Sequence, residues 1–111
     1  MRIFHIAQVG DWDDALASGG YEVSTLGRSL EEEGFIHASR ADQVRGTYDA
    51  FYAGRDLDLV LLTIDTDLLD VPWREDPVAD TTFPHLYGPL SPDAVVAVTP
   101  LDEALGGSDT D

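Results

Sequence analysis

A run dominated by leucine and valine, Leu57 to Ile64, is the feature that most restricts the fold of this chain. The run has the length of a β-strand, and a strand that is apolar on both faces is buried on both sides. We therefore expect it to be an interior strand. Asp65-Thr66-Asp67 follows as a turn, because these residue types are favoured where a strand ends.

Other segments also carry strand patterns. Arg2 to Gln8 alternates, with His5 on the same face as Ile3 and Ala7, and it is apolar on both faces. Pro72 makes the strand at Val71 to Glu75 an edge strand or a strand start. The loop Asp76 to Thr82 separates that strand from a constrained, extended segment at Phe83 to Leu90. The remaining predicted strands are Tyr21 to Ser24, Phe35 to Ala38 and Ala94 to Thr99.

Two segments have helical spacing. In the first, Asp11 is the predicted N-cap and Gly19-Gly20 the predicted end. The second runs from Arg40 to Ala53, with Ser39 as its N-cap. Between them, Leu26 to Glu33 reads as a turn or short helix closed by Gly34.

The order of these elements predicts the fold class. Too few strands are separated by crossover helices for a wound parallel sheet. We expect an α+β fold with a split or bent, mostly antiparallel β-sheet and two main helices. Residues 1–101 form the single predicted domain, and the acidic residues 102–111, rich in Gly, Ser and Asp, form a predicted disordered tail.

Charge and composition exclude several classes of function. The chain has 22 acidic and 6 basic residues, for a formal net charge of −16. Such a surface repels phosphate backbones and anionic lipids, so neither duplex nucleic acid nor a membrane is an expected partner. No run approaches the ~20 apolar residues of a membrane-spanning helix, and no signal peptide is recognisable at Met1. We expect a cytoplasmic protein. The absence of cysteine excludes disulfides and thiolate chemistry.

Candidate site residues are polar side chains within apolar segments, since the common nucleotide, phosphate, hydrolase and zinc-protease signatures are absent. If the segment after Gly34 is extended, His37 and Ser39 share a face. Ser39 has two possible roles there, helix N-cap or nucleophile, and cap preferences favour the first. His85 and Tyr87 share a face of a second segment that prolines make rigid. The spacing of the 3 histidines does not indicate a metal site.

Several blocks, in this order, resemble the DUF952 family of small bacterial proteins of unknown function, over about residues 2 to 101. The blocks are Ile3-Phe4-His5-Ile6, Glu33 to Ser39, Phe51 to Asp56, Leu59 to Asp65, Glu75 and Phe83 to Leu90. That family is similar to the ADP-ribosyltransferase-like superfamily, which implies a split β-sheet with a cleft for NAD or an ADP-ribose-like ligand.

The resemblance also implies roles for individual residues. His5, on the first strand, occupies the place of a cofactor contact, and His37 or Ser39 matches a contact on a second strand. Glu75 is the candidate for the glutamate that orients the ribose during transfer.

Two hypotheses about function follow. In the first, a cleft lined by the candidate residues binds NAD or a related nucleotide, with possible ADP-ribosyl transfer. Catalysis would fall to Glu75 and His37. The ligand contacts would be His5, Ser39, His85 and Tyr87. In the second hypothesis the same fold is a non-catalytic ligand-binding or regulatory module, and the polar pairs are structural.

Overall fold

The computed structural model describes residues 1–25 and 28–105, which form an α+β fold. The strands are β1 (Arg2–Gln8), β2 (Ile36–His37), β3 (Leu59–Asp65), β4 (Trp73–Val78), β5 (Thr81–Leu86) and β6 (Val95–Pro100). The helices are α1 (Val9–Ser18), α2 (Leu30–Glu33), α3 (Val44–Phe51) and α4 (Leu101–Leu105). Turns of 3-10 helix lie at Ala41–Gln43, Thr66–Leu68 and Pro92–Ala94.

The strands form two antiparallel sheets of three strands each. The first has the order β1-β3-β6, so the leucine-rich strand β3 lies between two neighbours. The second has the order β2-β5-β4. The prediction of an α+β fold with antiparallel sheets and an interior strand near Leu57 to Ile64 is therefore confirmed.

A main-chain bridge joins the two sheets. The Phe4 N–H donates to the Ser39 carbonyl at 2.8 Å, and the Ser39 N–H donates to the Phe4 carbonyl at 2.7 Å. Because Phe4 lies in β1 and Ser39 follows β2, the bridge brings the end of β2 against the first sheet. The two sheets thus meet as a split sheet.

Strand β1 is buried on both faces, as its alternation predicts. Ile3 and Ala7 belong to the main apolar core, where α1 contributes Trp12 and Ala15. Ile6 belongs instead to a second cluster, which is completed by Val44, Tyr52, Leu61 and Leu101. The strand therefore separates two packed layers, and His5 is carried into the interior with its neighbours.

The starts of both main helices differ from the prediction. Helix α1 begins at Val9, so Asp11 lies inside its first turn and is not the N-cap; the predicted end at Gly19 is confirmed, with φ of 92°. Ser39 does not cap the second helix, because its Oγ is 3.0 Å from Thr47 Oγ1. Arg40 is the N-cap of the 3-10 turn Ala41–Gln43 that precedes α3, and its N–H donates to Gln43 Oε1 at 2.9 Å; Gln43 is the N-cap of α3 itself.

The predicted loop at Asp76 to Thr82 is wrong. These residues form the end of β4, a two-residue turn at Ala79 and Asp80, and the start of β5. Ala79 adopts φ of 55° at that turn. No glycine or asparagine marks the position, which is why the usual hairpin signal is missing.

The predicted tail also needs correction near its start. Residues 102–105 continue α4 from Leu101, which is buried in the second apolar cluster. Arg45 Nη2 donates to the Leu105 carbonyl at 2.6 Å and ties this helix to α3. Residues 106–111 lie outside the described part of the chain. Residues 26 and 27 also lie outside the described part. Of the turn or short helix predicted at Leu26 to Glu33, the structure therefore describes the helix α2. Within the described ranges, no helix is long and apolar enough to cross a membrane.

Candidate functional site

A chain of hydrogen bonds runs across the second sheet from Asp76 to His37. Strands β2 and β5 pair in a register that sets His37 opposite His85. Their rings contact each other, with His37 Nδ1 3.3 Å from His85 Nε2. On the other side of its ring, His85 Nδ1 is 2.9 Å from Asp76 Oδ2. We call Asp76, His85 and His37 the Asp-His-His chain.

The β4–β5 register explains why Asp76 reaches His85. Arg74 pairs with His85 and Asp76 pairs with Phe83, so Asp76 is the diagonal neighbour of His85 on the same face of the sheet. Asp76 also accepts hydrogen bonds from the Tyr87 hydroxyl and, at 2.8 Å, from Arg74 Nε. The carboxylate of Asp76 therefore accepts hydrogen bonds from three donors at one end of the Asp-His-His chain.

Asp76 is ionised at neutral pH. Its partial burial acts to raise the pKa, but the hydrogen bonds from His85 and Arg74 outweigh burial and lower the pKa below its usual range. A carboxylate only accepts hydrogen bonds. The Nδ1 atom of His85 must therefore carry the proton in the contact with Asp76.

His37 is neutral at pH 7 and has an unsatisfied ring nitrogen. Burial, followed by the proximity of His85 and His5, lowers the pKa of His37 to about 4. Its Nε2 atom is buried and has no hydrogen-bond partner among the described residues. A buried polar atom without a partner costs about 1–3 kcal/mol, so it calls for an explanation beyond packing.

His5, in contrast, is satisfied by the protein itself. Its Nδ1 is 2.6 Å from the His37 carbonyl, and its Nε2 is 2.8 Å from the Tyr21 hydroxyl. Because a carbonyl only accepts, Nδ1 of His5 is protonated and the Tyr21 hydroxyl donates to Nε2. Burial lowers the pKa of His5 to about 4, and burial also raises the pKa of Tyr21. His5 thus supports the main chain of His37 from within the core.

An open groove lies between α3 and the β4–β5 hairpin, with His37 in its wall. Its volume is about 350 Å³. The Phe83 ring lies 4.9 Å from the His37 ring, centroid to centroid, and the Phe51 ring lies 6.5 Å away. The other lining residues are Arg40, Asp42, Gln43, Gly46, Thr47, Ala50, Val78 and Thr81. We call this cavity the α3 groove.

Glu75, the residue predicted to orient a ribose, takes part in a separate interaction. Arg40 Nη1 lies 2.6 Å from Glu75 Oε1, which also accepts from the Thr82 hydroxyl at 2.9 Å. Adjacent strand residues point to opposite faces, so Glu75 and Asp76 diverge. Glu75 is therefore committed to Arg40 and Thr82 and is not part of the Asp-His-His chain.

The structure thus groups the predicted residues unevenly. His85 and Tyr87 contact Asp76, His37 contacts His85, and His5 touches His37 through the main chain. Ser39 is bound to Thr47, and Glu75 to Arg40. No group of three His, Asp or Glu side chains in residues 1–25 and 28–105 is arranged as a metal site.

Two residues of this region, Asp76 and Arg40, were not predicted from the sequence. The segment Trp73–Val78 has no apolar–polar alternation, so the sequence carried only a weak signal for Asp76. Read as a strand paired with Thr81 to Leu86, it would have placed Asp76 beside His85. Arg40 carries no comparable local signal, because its partner Glu75 is 35 positions away.

Comparison with known proteins addresses the family. The family model described as "Protein of unknown function (DUF952)" matches residues 6–98. The chain belongs to the DUF952 family. This confirms the family resemblance noted in the sequence blocks, and the DUF952 match covers all of Asp76, His85 and His37.

Solved structures of another protein share the fold of this chain. A crystal structure of CC0527 from Caulobacter crescentus is 30% identical to this chain, with a TM-score of 0.78, and covers 90% of this chain and 85% of that one. A solution NMR structure of CC0527 is 32% identical with a TM-score of 0.69, covering 89% and 83% respectively. Among curated proteins, no match was found.

Proposed function

We propose that this DUF952 protein binds a nucleotide-like small molecule, of the class of NAD or ADP-ribose, in the α3 groove. The observation that carries the proposal is the buried, unpartnered Nε2 of His37 in a residue that lines the groove. A ligand that fills the groove next to His37 would provide the missing hydrogen bond. The volume of about 350 Å³ lies within the range of roughly 300 to 1,000 Å³ of ligand pockets.

Aromatic side chains favour a planar ligand group. Phe51 is 46% exposed although it is large and apolar, and it lines the groove together with Phe83. Bases stack on aromatic faces of this kind with a gain of about 1–3 kcal/mol each. The nicotinamide or adenine ring of a nucleotide would suit these surfaces.

The charges around the groove favour the base and ribose over the phosphates. Arg40 is the cation in the wall, but Glu75 and Asp42 already lie 2.6 Å and 3.9 Å from its guanidinium nitrogens. An ion-paired guanidinium offers less attraction to a pyrophosphate than a free one does. We therefore propose that a nucleoside moiety makes the main contacts.

A second candidate is binding without transfer, as in a regulatory module. The observation that favours it is the commitment of Glu75 to Arg40 and Thr82. Transfer of ADP-ribose would need a carboxylate free to bond a ribose hydroxyl and stabilise the developing charge. Release of nicotinamide from NAD, followed over time, distinguishes binding alone from binding followed by transfer of ADP-ribose.

The binding proposal is tested by saturation-transfer NMR and calorimetry with NAD, ADP-ribose, adenosine and nicotinamide. Gly46→Leu should abolish binding, because Gly46 lines the groove and the leucine side chain would fill it. The variant should still fold, because a Cβ added at Gly46 meets nothing within 4 Å. Asp49→Leu is the matched control, since this exposed residue of α3 does not line the groove. Absence of binding at millimolar concentrations of all four ligands would overturn the proposal.

A further inference from the structure

We propose that Asp76, acting through His85, holds His37 in the Nδ1–H tautomer, so that His37 Nε2 accepts a hydrogen bond from the ligand. The site would then select ligands that present an N–H or O–H donor at this point. The statement about the ligand rests on the proposed function, whereas the statement about the tautomer concerns the free protein.

The protonated nitrogen of each ring in the Asp-His-His chain can be deduced in turn, starting from Asp76. Asp76 accepts, so His85 Nδ1 donates to it at 2.9 Å. In a neutral ring with a protonated Nδ1, Nε2 is an acceptor. The contact of 3.3 Å between His85 Nε2 and His37 Nδ1 is then a hydrogen bond donated by His37. His37 Nε2 is left with a lone pair and no proton.

The Asp76 carboxylate has hydrogen-bond donors other than His85. The Asp76 carboxylate already receives a hydrogen bond from the Arg74 guanidinium at 2.8 Å and another from Tyr87. Its charge is therefore compensated without a second cation.

Packing holds the rings of His85 and His37 in orientation. Phe35 stacks on His85 with centroids 3.9 Å apart and an interplanar angle of 8°. Both main-chain polar groups of His37 are also used by side chains: its N–H donates to Ser24 Oγ at 3.1 Å, and its carbonyl accepts from His5 Nδ1. The His37 ring itself contacts His85 and lies 4.9 Å from the Phe83 ring, centroid to centroid, so we infer that its lone pair is a preorganised acceptor.

Asp76 and His85 are positioning residues in this arrangement, and His37 is the ligand contact. A ligand donor would satisfy the lone pair of Nε2. An acceptor on the ligand would instead face that lone pair and leave both atoms without a hydrogen bond. Through the Asp-His-His chain, the carboxylate of Asp76 thus determines which type of ligand group His37 can bind beside the α3 groove.

The first experiment reads the tautomers without any ligand. Long-range ¹H–¹⁵N NMR of the labelled full chain at neutral pH should show all 3 histidines as Nδ1–H tautomers. This is an unusual result, since free imidazole side chains in water favour Nε2–H. In Asp76→Asn the amide oxygen should stay with the donor Arg74 Nε, so that the amide NH2 faces His85 Nδ1, donates to it and reverses the tautomers of His85 and His37. Asp80→Asn, at the exposed turn of the same hairpin, should leave both unchanged.

An Nε2–H tautomer of His37 in the unmodified protein would overturn the proposal. That measurement decides the matter even if Asp76→Asn does not fold. A folded Asp76→Asn variant with unchanged tautomers would also overturn the role of Asp76.

The second experiment compares probes with and without the donor. Adenosine carries an exocyclic amino group and purine riboside lacks it, so adenosine should bind about tenfold more tightly, as expected for one hydrogen bond. Adenosine should also shift the ¹⁵N resonance of His37 Nε2. Equal affinity of the two probes, together with no shift of the His37 Nε2 resonance by either nucleoside, would overturn the donor requirement while the proposed function stands. The predicted tautomers with no binding of either nucleoside, NAD or ADP-ribose would overturn the proposed function alone.

Discussion

His37 and His85 lie directly opposite each other on β2 and β5, with His37 Nδ1 3.3 Å from His85 Nε2. A slip of one residue in this pairing would turn His37 to the other face of the sheet. Strand β2 has only two residues, so the register depends on further contacts of His37, including the bond from its N–H to Ser24. The candidate site is therefore a product of the sheet register.

Stability should fall in mild acid because His5 and His37 are buried in the neutral form. Their pKa values are lowered to about 4 in the folded protein, from 6.5 in the unfolded chain. Between these values the unfolded chain binds more protons, so stability is fully present above pH 6.5 and is lost as the pH falls towards 4. Each histidine contributes up to about 1.4 kcal/mol per pH unit. Urea unfolding from pH 7 to pH 5 measures the slope.

His37→Asn is the control for this pH dependence. It removes one of the two titrating groups and should reduce the slope by about half, whereas the acidic side chains stay largely ionised above pH 5. A stability that does not change between pH 7 and pH 5 in the unmodified protein would contradict the assignment of two neutral, buried rings.

Tyr21→Phe should destabilise the protein by about 1–3 kcal/mol, because it leaves the Nε2 of buried His5 without its donor. Thermal unfolding and urea titration measure the change. Tyr87→Phe is the matched comparison, since it also removes a hydroxyl donor but at the partly exposed Asp76. Tyr87→Phe should cost less than Tyr21→Phe, and the reverse order would be inconsistent with His5 as the interior support of His37.

Gly88→Ala should cost about 1–3 kcal/mol through overpacking. A Cβ at Gly88 would lie 2.6 Å from Val71 Cγ1 and 2.9 Å from Val71 Cβ, so Val71 must move. Adding Val71→Ala should restore part of the loss. Gly46→Ala, in the interior of α3 with nothing within 4 Å, should stabilise by about 0.5–1 kcal/mol. If both glycine variants shift the urea midpoint alike, the close approach at Val71 has no energetic consequence.

Glu75→Gln should lower stability by about 1 kcal/mol, since the side chains of Arg40 and Glu75 are only 32% and 31% exposed. Nucleotide binding should remain, because Glu75 is occupied by Arg40 and Thr82. A double-mutant cycle with Arg40→Gln measures the coupling energy. Glu31→Gln, on the exposed face of α2, is the control. Loss of binding in Glu75→Gln at unchanged stability would instead make Glu75 a ligand contact.

The hairpin of β4 and β5 is the part of the fold that the sequence did not predict. The apolar run of β3, the alternation of β1 and the glycine at the end of α1 are local signals, and each gave its element nearly in place. The hairpin has Ala79 at φ of 55° in its turn, where sequence rules expect glycine, asparagine or aspartate. Asp76 was consequently assigned to a loop and its place beside His85 was missed.

The sequence alone determined the α+β class, the family and the three histidines worth following, because burial and residue type are carried by each segment itself. Only the tertiary structure decided which polar groups meet. It brought together His37 and His85, which are 48 positions apart, and it selected Asp76 over its neighbour Glu75. The physical reason is that strand register and the alternation of faces are set by pairing between distant segments. A hydrogen bond exists only once that pairing has formed.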